Sequence, residues 1–301
     1  MGIYRHMRAL ALFGVLLVGC NVAPAPVGGG GGVLPDLATS VAANALRFGV
    51  FGDARPGSPN DSSHYPSMVL TSIFTQAEER GLPFMIGTGD YMFANGEPEV
   101  TTQMSLVLAA EAPYHGAIYH TLGNHECTGA TASNCPNGDE TPNVRAFMAN
   151  LVPKSATKPW YRVDVNTAHG KAKILFVAAN AWSDEQASWL TTQMADPTTY
   201  TFAVRHEPPS EPSAPGVGPS EAILHAAPLT LELLGHYHSY QHLDAVHVIS
   251  GNAGAPLSRG SFGYLVVEEL DDGNIAVSEI DQASNLPIDA WRVTPAGQPA
   301  P

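Results

Sequence analysis

Gly123-Asn124-His125-Glu126 sets an amide oxygen, an imidazole and a carboxylate in consecutive positions where the apolar run Ala117–Leu122 stops. Other apolar runs end in comparable corners: Gly52-Asp53, Gly89-Asp90, His206, and Gly235-His236-Tyr237-His238. Carboxylates, imidazoles and an amide oxygen, without thiolates, suit manganese, iron or zinc rather than a soft-metal site. Asp53, Asp90, Asn124, His206, His236 and His238 exceed what one tetrahedral ion needs. The set suggests two divalent or trivalent metal ions sharing a carboxylate. That arrangement clamps the attacking and leaving oxygens of an in-line displacement at phosphorus.

Such corners need a scaffold that gathers strand ends. Short apolar runs alternate with helix-like segments, which favours an α/β arrangement. Strands are expected over Leu46–Phe51, Pro83–Ile86, Ala117–Leu122, Tyr161–Val165, Lys173–Ala178, Thr199–Val204, Leu229–Leu234 and Val246–Ile249. A final hairpin of Tyr264–Glu269 and Ile275–Ile280 turns at Asp271-Asp272-Gly273. Helices are expected over Ser67–Arg80, with Met68, Ile73, Phe74 and Ala77 at helical spacing and Gly81 as the stop, and over Thr101–Ala110. A third helix opens at Ser183-Asp184-Glu185-Gln186, a capping-box spacing. The stretches 127–145 and 210–219, rich in Pro, Gly and small polar residues, read as irregular loops. In an open α/β sheet a ligand sits outside the carboxyl ends of the strands, so the polar corners can share one crevice.

The chain of 301 residues is 44% hydrophobic, enough for one large core, and acidic residues outnumber basic ones 28 to 14. That balance argues against a nucleic-acid partner, because phosphate-backbone affinity depends on Lys and Arg. No protein partner is implied. Arg5 and Arg8 precede the apolar run Ala9–Val18, too short to span a bilayer, as in a signal peptide. The run closes on Gly19-Cys20, which resembles the lipobox of bacterial lipoproteins, whose Cys is lipidated and becomes the new N-terminus. The expected layout is a signal peptide over 1–19, lipidated Cys20 with a flexible Gly/Pro tether over 20–43, a domain over 44–290 and a tail over 291–301. The product would be exported and membrane-anchored through lipid alone. In an exported protein Cys127 and Cys135 are expected to pair, a thiolate metal site being the alternative.

The ordered blocks Gly52-Asp53, Gly89-Asp90, Gly123-Asn124-His125-Glu126, His206 and Gly235-His236-x-His238 resemble the calcineurin-like metallophosphoesterase superfamily. The resemblance covers residues from about 46 to 280. It implies an α/β sandwich of two mixed sheets flanked by helices, and metal-dependent hydrolysis of phosphate esters by a metal-bridging hydroxide. By the same resemblance Asp90 bridges both metals, and Asp53 and His238 hold the first. Asn124, His206 and the side chain or backbone of His236 hold the second. His125, not a ligand, stabilises the transition state and protonates the leaving oxygen.

Two departures stand out. The first block usually reads Asp-x-His, its His a ligand of the first metal, whereas here it reads Asp53-Ala54-Arg55. Arginine has no lone pair to give. Arg55 therefore either holds a substrate phosphate in bidentate fashion or pairs with a neighbouring carboxylate. Purple acid phosphatases, a branch of the superfamily, carry a metal-binding Tyr three residues after the second-block Asp, where this chain has Phe93. Tyr240 either lines the pocket or packs as an aromatic. His64, in a Ser-rich loop after Asp53, is a candidate for the missing nitrogen. His115, His120, His225, His242 and His247 read as surface or hydrogen-bonded histidines. Glu126 either orients a neighbour or caps a helix. The alternatives to a phosphoesterase are a non-catalytic metal- or phosphate-binding module and a phosphoanhydride or nucleotide hydrolase.

Overall fold

The computed structural model describes residues 44–128, 135, 141–211 and 213–301. The expected signal peptide, Cys20 and the tether lie outside them.

The chain enters through β1 (Arg47–Phe51), α1 (Ser67–Glu79), β2 (Phe84–Gly87), α2 (Glu97–Glu111) and β3 (Ala117–His120). These three strands are parallel neighbours. Buried on both faces, β1 and β2 are continuous apolar runs rather than alternating ones. Helix α1 turns Leu70, Ile73, Phe74 and Ala77 inward, one stripe at helical spacing. Met68, expected on that stripe, is 88% exposed.

The short α3 (Asn124–Thr128) and α4 (Pro142–Asn150) lead to a second sheet. It is built from β4 (Tyr161–Thr167), β5 (Gly170–Val177), β6 (Tyr200–Arg205), β7 (Leu231–Leu234), β8 (Tyr240–His242) and β9 (His247–Ser250). Helices α5 (Asp184–Ala195) and α6 (Val217–Leu224) lie between its strands in sequence. The chain then returns to the first sheet with β10 (Gly263–Glu269), β11 (Ile275–Asp281) and β12 (Leu286–Val293). The orders are β12-β11-β10-β1-β2-β3 and β4-β5-β6-β7-β9-β8, each sheet mixing parallel and antiparallel pairs. The fold is the expected α/β sandwich of two mixed sheets with flanking helices. Phe48 of β1 stacks on Phe84 at 5.1 Å and meets Phe202 of β6 edge-on at 5.3 Å, which joins the two sheets through one core.

Several expected boundaries move. Helix α2 begins at Glu97 because Gly96 takes φ of 81° and Pro98 is tolerated in the first turn. Ser183 caps α5 by accepting from Gln186 N at 3.2 Å, but the Gln186 side chain turns to the backbone of Ala178, so the reciprocal half of the box is not made. Helices α3, α4 and α6 replace parts of the expected loops. Strand β12 runs past residue 290, and beyond it Val293 pairs with Pro299 while Pro295 O accepts from Thr230 Oγ1 at 2.6 Å, so residues 291–301 are no loose tail. Cys127 and Cys135 form a disulfide, which rules out a thiolate metal site there.

Candidate metal centre

The carboxyl ends of β1, β2, β3, β6 and β7 deliver Asp53, Asp90, Asn124, His206, and His236 with His238 to one place between the sheets. Asp53, Asp90, His236 and His238 hold φ of 55°, 60°, 75° and 34°. Among the described residues, the other non-glycine positions with positive φ are Asn44, Asn60 and Asn285. A left-handed residue costs on the order of 1–3 kcal/mol and persists where its surroundings over-determine it, which happens at functional sites. Gly123 is required for close approach: a Cβ there would run into Asp90 and Glu126.

The donors fall into two groups that share Asp90. In one, His206 Nε2 lies 3.1 Å from Asn124 Oδ1 and 3.3 Å from Asp90 Oδ1, and His236 Nδ1 lies 3.2 Å from Asn124 Oδ1 and 3.4 Å from His206 Nε2. Ligands about 2.0–2.1 Å from a tetrahedral ion stand about 3.3–3.4 Å from one another, so this group has the spacing of a coordination shell. His206 Nδ1–H donates to Thr88 O at 2.8 Å, which aims the Nε2 lone pair at the group, as in metal-binding histidines. Two nitrogens and two oxygens so held fit a manganese, iron or zinc ion. The other group is Asp53, Asp90 and His238, whose donor atoms lie within 4.8 Å of one another. His238 Nδ1–H donates to Pro256 O at 3.2 Å and its Nε2 stands 3.6 Å from Asp53 Oδ1. That oxygen is buried without a hydrogen-bond partner, while Asp53 Oδ2 accepts His236 N at 2.8 Å.

Burial and the close approach of carboxylates, imidazoles and the Arg55 guanidinium set the electrostatics of the crevice. Burial, partly opposed by His206, pushes Asp53 up to about 8. Burial works to raise Asp90 too, yet His206, His125 and Arg55 together hold it well below the usual carboxylate range. Burial opposes protonation of His206, but Asp90 and Asp53 outweigh it and lift the group well above an ordinary histidine. His236 is pushed down to about 4, by burial and then by His206; His238 falls through burial and Arg55.

Arg55 reaches into the Asp53–Asp90–His238 group: its Nε donates to Asp90 Oδ2 at 3.3 Å and Nη2 lies 3.1 Å from His238 Nε2. His125 borders the crevice, with its Nε2 3.7 Å from Asp90 Oδ2, its ring edge-on to Phe93 at 4.3 Å and its N–H donating to Asp90 Oδ1 at 3.1 Å. His64 does not join; its side chain is 81% exposed and pairs with Asp61. His120 is buried against Glu111 and Leu151 O, and Tyr240 bonds Asp289 on β12 instead of lining the pocket.

Two contributors carry weaker sequence signals. Glu126 accepts four backbone N–H groups, from Asp90, Tyr91, Met92 and Gly123, at 2.8–3.2 Å. Burial and Asp90 push it up to about 7 against those amides. Glu207, fully buried, hydrogen-bonds Asn180 and brings a carboxylate within ligand range of His206 and His236. Its adjacency to His206 was the available signal. A separate cluster of Glu221, His225, Glu232 and His247 lies against α6, where buried Arg205 Nη2 faces the two carboxylates at 2.7 and 2.8 Å and supplies their counter-charge.

No protein-family model and no curated protein matches the sequence. Among solved structures, the chain is similar to a purple acid phosphatase isolated from seeds of yellow lupin (Lupinus luteus), with a TM-score of 0.63 and 15% identity over 84% of this chain and 54% of that one. It thus spans about half the length of the lupin protein. It is also similar to a dimetal phosphatase from Danio rerio, with a TM-score of 0.59 and 12% identity over 84% of this chain and 99% of that one. At these identities the likeness establishes a shared fold.

Proposed function

We propose that this chain hydrolyses phosphate esters with the help of bound metal and belongs to the calcineurin-like metallophosphoesterase superfamily. The observation that carries the reading is the convergence of Asp90, Asn124, His206 and His236 from the ends of strands in both sheets, with donor spacings of 3.1–3.4 Å and a histidine tautomer pinned by Thr88 O. A cation held there supplies Lewis-acid charge at a phosphoryl oxygen and lowers the pKa of water. Buried walls exclude water and strengthen each charge interaction with a phosphate. On this reading His125 donates a proton to the leaving oxygen, and Asp90, which accepts its backbone N–H, fixes where it stands. Arg55 presents N–H donors that suit a phosphate oxygen.

The test is turnover of aryl phosphate mono- and diesters by the purified full chain, before and after chelation. Activity should vanish with chelator and return with manganese, iron or zinc. Turnover indifferent to chelator would sink the metal dependence. Metal or phosphate binding without turnover of any ester would favour the non-catalytic module, the reading that Arg55's contact with Asp90 and His238 supports.

A further inference from the structure

The Asp53–Asp90–His238 group does not fit an ion as it is built, because Arg55 already stands in it. Nε donates to Asp90 Oδ2 at 3.3 Å, and Nη2 lies 3.1 Å from His238 Nε2, the one ring nitrogen left open once Nδ1 is given to Pro256 O. Nη1 donates to Pro56 O at 3.1 Å, and Cζ sits 4.5 Å from the centre of the Phe93 ring, a cation–π seat. The side chain is only 11% exposed. Two of the three donors that an ion would use therefore face a permanent cation. The remaining donor, Asp53 Oδ1, is one carboxylate oxygen and does not hold an ion by itself. To admit a metal, Arg55 would have to give up its contacts with Asp90, His238 and Pro56, and the aromatic face.

We infer that the Arg55 guanidinium replaces the ion of this group, so that the chain takes one metal ion, at Asp90, Asn124, His206 and His236, and meets the substrate phosphate with a metal on one side and a guanidinium on the other. This deepens the phosphoesterase reading and rests on it for the substrate, though not for the metal count. The division of labour follows from the chemistry of the two cations. A guanidinium keeps its charge at every working pH and offers planar, paired donors to phosphate oxygens. It has no empty orbital with which to acidify water, so activation of the nucleophile falls to the other group. Phe93 belongs to the device: its face seats the guanidinium and offers no ligand atom.

The deciding measurement is metal per chain by plasma mass spectrometry on the full chain, dialysed against manganese or zinc without chelator. Wild type should hold one ion, and Arg55→His, which restores a donor with a lone pair, should hold two. His238→Ala should leave wild type at one ion and reduce Arg55→His to one, whereas His206→Ala should empty wild type. If Arg55→His does not fold, the His238 and His206 variants in the wild-type background decide the question alone. Two ions in wild type, or one ion lost with His238 and kept without His206, would overturn the inference and leave the phosphoesterase reading standing. One ion without turnover of any ester would overturn that reading and leave the metal count intact. No ion in any variant would overturn both.

Discussion

Glu126 organises the centre without being a ligand: the N–H groups of Asp90, Tyr91, Met92 and Gly123 all end on its two oxygens. It holds the loop after β2 in the turn that aims Asp90. Glu126→Gln turns one acceptor into a donor facing amides, and each stranded buried amide costs about 1–3 kcal/mol. We expect a lower midpoint in denaturant and reduced metal occupancy together; an unchanged midpoint would show that the loop holds itself. His125→Ala should lower kcat by about 10²–10⁴, the range of a general acid, with metal content unchanged. Equal loss of metal would make His125 a ligand. At this scale the sequence was informative about the donors, because each stands in a Gly-polar or His-containing corner where an apolar run stops. It left open whether Arg55 grips substrate or pairs with a carboxylate, since it is the fold that brings its guanidinium against Asp90 and His238.

Most elements that end at the site were legible for a physical reason: parallel strands such as β2, β6 and β7, buried on both faces, read as short apolar runs with abrupt polar ends. Strand β12 was not, because its exposed Leu286 and Ile288 and its polar residues blur any periodicity. Helix α6 hid in a Pro- and Gly-rich stretch, and part of its anchoring is ionic. Glu221 on α6 and Glu232 on β7 face Arg205 of β6, and His247 of β9 lies 3.2 Å from Glu232 and hydrogen-bonds Asp244. Glu221 first, then Glu232, push His247 up to about 10. A histidine raised in the folded state stabilises fully below its unfolded pKa, near 6.5, and loses that contribution as pH rises through 10. His247→Gln should therefore lower the melting temperature most at pH 6 and progressively less toward pH 10. A loss equal at every pH would mean that packing, not charge, is what His247 supplies.

Across the whole molecule, each sheet contributes some of the donors and neither holds the centre alone: Asp53, Asp90 and Asn124 follow strands of the first sheet, His206, His236 and His238 strands of the second. The Phe48–Phe202 contact is part of the shared core that holds the two sheets, and with them the two halves of the centre, together. We propose that the chain is exported and held at a membrane by lipid on Cys20, a reading carried by Gly19-Cys20 after the apolar run. Cys20→Ala should move the protein from the membrane to the soluble fraction of fractionated cells with phosphatase activity intact; persistent membrane association would refute the lipid anchor.

The left-handed backbone at Asp53, Asp90, His236 and His238 has a consequence for the history of such a chain. At each of these positions glycine would relax the backbone and remove a donor in one step, and at Asp53 and Asp90 it would also remove buried negative charge. Selection for thermal stability alone would therefore drift toward glycine at these positions, and at Asp90 and His236 would strip donors from the group that has the spacing of a coordination shell. Four such residues standing together unrelaxed follow the pattern in which backbone strain gathers at functional sites.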